Sequence, residues 1–179
     1  MKRLGLAAAP LLALVAFQAL AQGVPGAPPV RTATTASEPY NLSWDKDTLV
    51  YCDQRGGRTL NLLTAQDTAR EAGCAPVAEA NTACSGFDID VEVRAPLSTP
   101  NDIVDVKGVA VPVQGRVRDC SVDGQSIAVV SGSSVVLIDA VTTKAVPVDR
   151  QGGERILLGP KWLAWSNGAE LRWRLRRPE

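Results

Sequence analysis

Two runs of alternating charge carry the side chains best placed for chemistry. In Phe87-Asp-Ile-Asp-Val-Glu-Val93, an extended backbone puts Asp88, Asp90 and Glu92 on one face and Phe87, Ile89, Val91 and Val93 on the other. Three carboxylates at two-residue spacing suit Ca²⁺ or a basic partner. No ligand loop accompanies them, so the expected reading is the solvated face of a half-buried strand. In Leu171-Arg-Trp-Arg-Leu-Arg-Arg177, Arg172, Arg174 and Arg176 share one face and Leu171, Trp173 and Leu175 the other. Such a row can grip carboxylates or phosphates bidentately on a partner or envelope polymer. It also serves as charge protection on an exposed edge strand, which is the expected reading. A third option pairs the arginine row with the acidic row, within one sheet or across an interface.

Other candidates fall away on chemical grounds. The 179 residues include no histidine, which excludes Ser-His-Asp and Cys-His nucleophiles, histidine acid–base catalysis and His-containing zinc sites. Ser131-Gly-Ser-Ser134 lies near Asp139 but has neither His nor a paired Lys to activate a hydroxyl. Gly56-Gly57 and Gly152-Gly153 read as hairpin turns; neither opens a helix, so neither is a phosphate loop. Trp44, Trp162, Trp165 and Trp173 read as packing residues, with a sugar-stacking or partner-binding platform as the alternative. No cofactor is implied.

The N-terminus sets the compartment. Lys2 and Arg3 precede an apolar run from Leu4 to Leu20, and Ala19-Leu20-Ala21 supplies the small residues of a signal-peptidase site. Gly5, Pro10 and Gln18 interrupt a run already short for a bilayer span, which favours a cleaved signal over residues 1–21 and a periplasmic or secreted location. Removing Lys2 and Arg3 from the 19 basic residues leaves 17 against 19 acidic ones, a balance that argues against general nucleic-acid or anionic-membrane binding. Residues 22–39 are rich in Pro, Thr and Ala and read as a flexible or partly extended linker without a core of its own.

Cys52, Cys74, Cys84 and Cys120 all lie beyond the signal. An even number in an exported chain is most simply two disulfides, and no Cys-x-x-Cys pair supports a metal site. Three connectivities are possible; the sequential one, Cys52 with Cys74 and Cys84 with Cys120, staples neighbouring segments and is favoured.

The elements that must hold these residues are short strands. Thr48 to Cys52, Phe87 to Val93, Ile103 to Val113, Ser126 to Val130, Ser134 to Asp139, Lys161 to Trp165 and Ala169 to Leu175 are β-branched or alternating runs between Gly, Asn, Asp and Pro. Only Ala65 to Gly73 suggests one or two helical turns. The hairpins repeat. Leu42-Ser-Trp-Asp-Lys-Asp-Thr-Leu-Val-Tyr-Cys52 with the strand to Leu63 has the same order of parts as Cys120-Ser-Val-Asp-Gly-Gln-Ser-Ile-Ala-Val-Val130 with Val135 to Ile138. Leu158-Gly-Pro-Lys-Trp-Leu-Ala-Trp165 with Glu170 to Arg174 is a third copy. Thr48, Ser126 and Lys161 are equivalent, at offsets of 78 and 35 residues, and a degenerate copy starting near Phe87 would halve the longer step. Periods of about 40 residues belong to propeller-type arrays.

Ser121-Val-Asp-Gly-Gln-Ser-Ile-Ala-Val-Val-Ser131 resembles the S-P-D-G-x-x-I-A-F-x-S signature of the WD40-like repeat in TolB-type periplasmic β-propellers. Ser43 to Tyr51, followed by Asp53-Gln-Arg-Gly-Gly-Arg58, is similar to the same repeat with its D-R-G-G turn; Val122 and Trp44 stand where that repeat usually has proline. The resemblance implies an all-β array of about four antiparallel hairpin blades over residues 40–179, with a β-sandwich or small barrel as the alternative. It further implies a non-enzymatic protein-binding or scaffold component of the bacterial cell envelope, presenting loops and a strand edge to a protein partner. The expected contacts are Arg172, Arg174, Arg176 and Trp173, with the Trp-bearing turns and with Asp88, Asp90 and Glu92. A secreted inhibitor or immunity-type protein and a hydrolase or lyase working with carboxylates alone are the competing expectations.

Overall fold

The computed structural model describes residues 27–84 and 89–176. The expected signal segment, Phe87 and Asp88 lie outside the described residues. The described chain is all-β, with every ladder antiparallel. Among the described residues no helix is long and apolar enough to cross a membrane.

Strand β1 (Arg31–Thr34) comes first. Then β2 (Tyr40–Asp45), β3 (Thr48–Asp53), β4 (Gly56–Asn61) and β5 (Asp67–Ala69) form a first sheet in chain order. β6 (Val91–Arg94), β7 (Asp102–Val106) and β8 (Val109–Val113) form the second. β9 (Val117–Asp123), β10 (Ser126–Ser131), β11 (Val135–Asp139) and β12 (Ala145–Asp149) form the third. The fourth holds β13 (Ile156–Leu158), β14 (Trp162–Asn167) and β15 (Glu170–Leu175), and β1 returns from the chain's start to pair beyond β15, with Arg31 opposite Trp173 and Thr34 opposite Glu170.

Strands without polar alternation are those covered on both faces, where a continuous apolar run is the expected pattern. Ile127 and Val129 of β10 pack with Val104, Val106, Val111 and Val113 of the second sheet. The intervening Ala128 and Val130 pack with Ile156, Leu158, Leu163 and Trp165 of the fourth. β14 is shared in the same manner, since Trp162 and Ala164 join Leu49, Tyr51, Leu60 and Leu62 of the first sheet. These three clusters couple second to third, third to fourth and fourth to first sheet. At about 1.5–3 kcal/mol for each large apolar side chain taken from water, they dominate the cohesion of the chain.

Polar side chains fix how the sheets meet. One Asp119 oxygen accepts the Asn81 N–H (2.9 Å) and the other the Ile156 N–H (3.0 Å), while the adjacent Cys120 is disulfide-bonded to Cys84. Ser121 Oγ accepts the Leu158 N–H at 2.9 Å. The Leu62 carbonyl accepts both Trp173 Nε1–H (3.0 Å) and Arg31 Nη1–H (3.0 Å), which ties β1 and β15 to the first sheet. The serines of 131–134 serve structure: the Ser131, Ser133 and Ser134 hydroxyls all donate to the Gln114 carbonyl. Both disulfides are the sequential pairs, Cys52–Cys74 and Cys84–Cys120.

Four sequence expectations change. Arg31 to Thr34, assigned to a linker, is a strand of the fourth sheet, and Ala33 packs against the cluster around Trp173. The helical turn expected over Ala65 to Gly73 is absent; Asp67 to Ala69 is an edge strand because the Asp67 carboxylate meets Arg58 across the ladder (2.7 Å) and the Arg70 N–H reaches the Gly57 carbonyl. The hairpin expected from a copy starting near Phe87 is displaced: the β7–β8 hairpin of the second sheet starts at Asp102, after the disulfide-bonded segment through Cys74 and Cys84. Gly152-Gly153 is a close-packing site rather than a hairpin turn: a Cβ on Gly152 (φ +70°) would lie 2.4 Å from backbone atoms of Ser131 to Ser133, and one on Gly153 2.1 Å from the Ser166 carbonyl oxygen.

Replacing Asp119 with Ala leaves the Asn81 and Ile156 N–H groups without their acceptor. The expected loss is about 2–4 kcal/mol in denaturant unfolding with both disulfides intact, since each orphaned buried donor costs about 1–3 kcal/mol. Unchanged stability in Asp119→Ala would disprove this role.

Candidate functional site

A cleft of about 240 Å³ opens where the hairpin tips of the first and fourth sheets meet, lined by Trp44, Lys46, Asp47, Gly159, Pro160, Lys161 and Trp162. One wall is the Asp45-Lys46-Asp47 turn between β2 and β3, in which Lys46 takes a left-handed backbone (φ 56°). The other is the Gly159-Pro160-Lys161 turn between β13 and β14. Asp47 Oδ1 accepts Trp162 Nε1–H at 3.0 Å, and Lys161 Nζ lies 3.9 Å from the same oxygen and 5.6 Å from the centroid of the Trp162 ring. These contacts hold the Trp162 indole rigid and leave a cation above its ring, a stabilising arrangement.

Trp44 forms the opposite wall, half-buried, with Nε1 shielded from solvent and, among the described residues, without a hydrogen-bond partner. Glycine at 159 makes that position possible, because a Cβ there would stand 2.6 Å from Trp44 Nε1. Two indoles, two lysines and one carboxylate already engaged by its neighbours thus share one mouth. Flat apolar surface beside exposed cationic tips suits an apolar anchor flanked by negative charge.

The arginine row sits elsewhere. The exposed edge strand expected for the arginine row is not observed: β15 is enclosed between β14 and β1, so Arg172, Arg174 and Arg176 do not line a strand edge. Arg172 donates to Asp149 (2.8 Å) and Glu170 (2.7 Å), and Arg176 to Asp123 (2.5 Å) and Ser126. Trp173 is fully buried, as is Trp165. On the acidic run, Ile89, Val91 and Val93 face the core as the alternation required, and Asp90 and Glu92 are exposed. Glu92 is met by Arg94 (3.2 Å), which also reaches Asp105 (2.9 Å), while Arg172 and Arg176 meet other carboxylates, so among the described residues no contact joins the acidic row to the arginine row. Among the described residues no group of acids, cysteines or histidines is arranged to hold a metal.

Two ionisation shifts in the first sheet are structural. Burial, reinforced by the negative Asp67, pushes the Tyr51 hydroxyl up to about 12. Burial alone would raise the Asp53 carboxyl, but hydrogen bonds from Arg55 and from the Ala36 N–H hold it below the ordinary carboxylate range.

The cleft lysines and Gly159 escaped sequence reasoning. Their signal was present in Trp-Asp-Lys-Asp and Gly-Pro-Lys-Trp, two repeat turns that each set a lysine beside a tryptophan. That the two turns meet follows only from the return of β1 and the packing of the fourth sheet on the first.

No protein-family model matches the chain, and no curated protein matches it. Among solved structures the chain is similar to the extracellular domain of a one-component system from B. thetaiotaomicron, at 11% identity and a TM-score of 0.33, over 79% of this chain and 20% of that one. It is also similar to the computationally designed Ika4 protein (11% identity, TM-score 0.33, 78% of this chain and 92% of that one). A third match is the designed Ika8 protein (10% identity, TM-score 0.33, 74% and 44%). The chain spans about a fifth of the first of these structures, and likeness at this level assigns no function.

Two measurements address this geometry. The raised Tyr51 value means that folding favours the neutral phenol, so its contribution is complete below the ordinary tyrosine range near pH 10 and is lost as the pH rises through about 12. An alkaline absorbance titration should show a late phenolate phase that Tyr51→Phe removes, and early ionisation of both tyrosines would contradict it. For Asp53 the sign is opposite: its contribution is present above the ordinary carboxylate range and fades as the pH falls through its depressed value. Asp53→Asn should therefore flatten the acid limb of the stability profile, and an unchanged limb would count against the Arg55 and Ala36 contacts as the cause.

Proposed function

We propose that this chain is an exported, non-enzymatic binding module of the bacterial cell envelope that takes an acidic segment of a protein partner, anchored by an apolar side chain, into the Trp44–Trp162 cleft. The observation that carries the proposal is the cleft itself: two indoles under a rim bearing Lys46 and Lys161, with the Asp47 charge already engaged by Trp162 and Lys161. Two disulfides fit an oxidising, exported setting. Three sequence repeats fall on three-strand units at β2–β4, β9–β11 and β13–β15, and the N-terminal strand completes the last sheet; both features support a small propeller-like array of WD40-like, TolB-type repeats.

A carboxylate-only hydrolase or lyase finds no support in the buried acids. Asp53, Asp102 and Asp119 are separately engaged by backbone N–H groups, the first two also by Arg55 and Arg116. The carboxylates are spent on tying strands together, whereas acid–base work needs two of them converging on one cleft.

The test uses the full exported protein with a photo-crosslinking residue at Lys46, and a control at Val109, which is exposed on the second sheet. A discrete protein adduct from envelope extract at position 46 alone, reduced at least tenfold by Lys161→Glu, is expected. An adduct indifferent to Lys161→Glu, or equal at both positions, would overturn the assignment. Indole quenching by oligosaccharides without any protein adduct would replace it with sugar binding, and an adduct to an enzyme that loses activity would identify the partner class as an inhibited enzyme.

A further inference from the structure

We propose that Arg174 holds a small oxyanion, a phosphate or carboxylate group, between the third and fourth sheets. Arg174 is 5% exposed, its Nε is sealed from solvent, and among the described residues its side chain makes no hydrogen bond and no ion pair. It stands opposite Leu163 in the ladder, and Leu163 belongs to the cluster that the fourth sheet shares with Ala128, Val130 and Val135 of the third. On either side Arg172 is held by Asp149 and Glu170, and Arg176 by Asp123 and Ser126, so the nearby carboxylates are committed and none contacts Arg174.

A guanidinium cannot relieve this situation by losing its proton, and burying it uncompensated is costly. Burial does depress the Arg174 pKa, with no counter-charge acting against it. A planar fork with free N–H donors in a low-dielectric setting is what bidentate recognition of an oxyanion requires. The three arginines are matched by three carboxylates over the row as a whole, so the attraction is local and geometric.

Thermal unfolding of the whole protein in sodium phosphate, in sodium acetate, and in sodium chloride at matched ionic strength tests the proposal. Phosphate or acetate should raise Tm by roughly 2–4 °C above chloride at tens of millimolar, a shift typical of a ligand that binds only the folded chain. A response to phosphate alone indicates a phosphoryl ligand, and an equal response to acetate indicates a carboxylate, including one from a protein side chain. Arg174→Met should match or exceed the wild-type Tm in chloride and lose the anion response, and Arg174→Lys should weaken that response at least threefold. Arg118→Met, a change at an exposed ion pair with Glu154, should keep it. No anion-specific shift in the wild-type protein, or an undiminished shift in Arg174→Met, would overturn the proposal.

Discussion

Asp119 and Cys120 stand side by side on the first strand of the third sheet and between them fix where two distant segments lie. The carboxylate reaches the segment before the second sheet through Asn81 and the first strand of the fourth sheet through Ile156, and the neighbouring sulfur holds Cys84 covalently. Apolar clusters supply most of the cohesion between sheets, but hydrophobic contact is non-directional and lets two sheets slide. The carboxylate is directional. It sets β13 against β9 at a defined height, and with that height fixed β14 can offer Leu163 and Trp165 to one neighbour and Trp162 and Ala164 to the other.

How much of this the residues announce depends on the range of the interaction. Hairpins were legible because strand and turn are local: the starts of β3, β10 and β14 fall at or within one residue of Thr48, Ser126 and Lys161, the positions the repeats mark as equivalent. The disulfide pairing was legible because each bridge joins cysteines adjacent in order. Arg31 to Thr34 was not, since Arg-Thr-Ala-Thr has neither length nor hydrophobicity to declare a strand, and it becomes one only because β15 offers an unpaired edge. Asp67 misled in the same way. A short polar stretch with Asp, Arg and Glu satisfies a helical pattern locally, and a cross-strand arginine overrides it.

The arginine row shows why alternation alone does not reveal exposure. Period-two spacing places Arg172, Arg174 and Arg176 on one face correctly, but whether that face meets water depends on which sheet stacks against it. Here the third sheet does, and carboxylates from its turns and strand ends meet two of the three guanidinium groups. The buried acids Asp53, Asp102, Asp105 and Asp119 in turn are dispersed as struts, each bound to backbone N–H groups, and all but Asp119 also to an arginine. Among the described residues these four carboxylates hold geometry at separate points of the fold and do not gather at one.

The tryptophan cleft inherits its existence from the long-range contacts that the sequence concealed. Its walls come from turns 115 residues apart, Asp47 and Trp162, joined by an indole hydrogen bond and by the Lys161–Asp47 ion pair. They meet because β1 leaves the fourth sheet and the chain passes directly into β2 of the first, while Arg31 and Trp173 both bind the Leu62 carbonyl. The N-terminal strand therefore does more than cover an edge. It fixes the relative position of the two sheets whose tips form the cleft, so a change that loosens β1 acts on the cleft without touching any residue that lines it. A site at such a junction is held by the same contacts that hold the fold, and its shape can persist only while the first and last sheets remain joined.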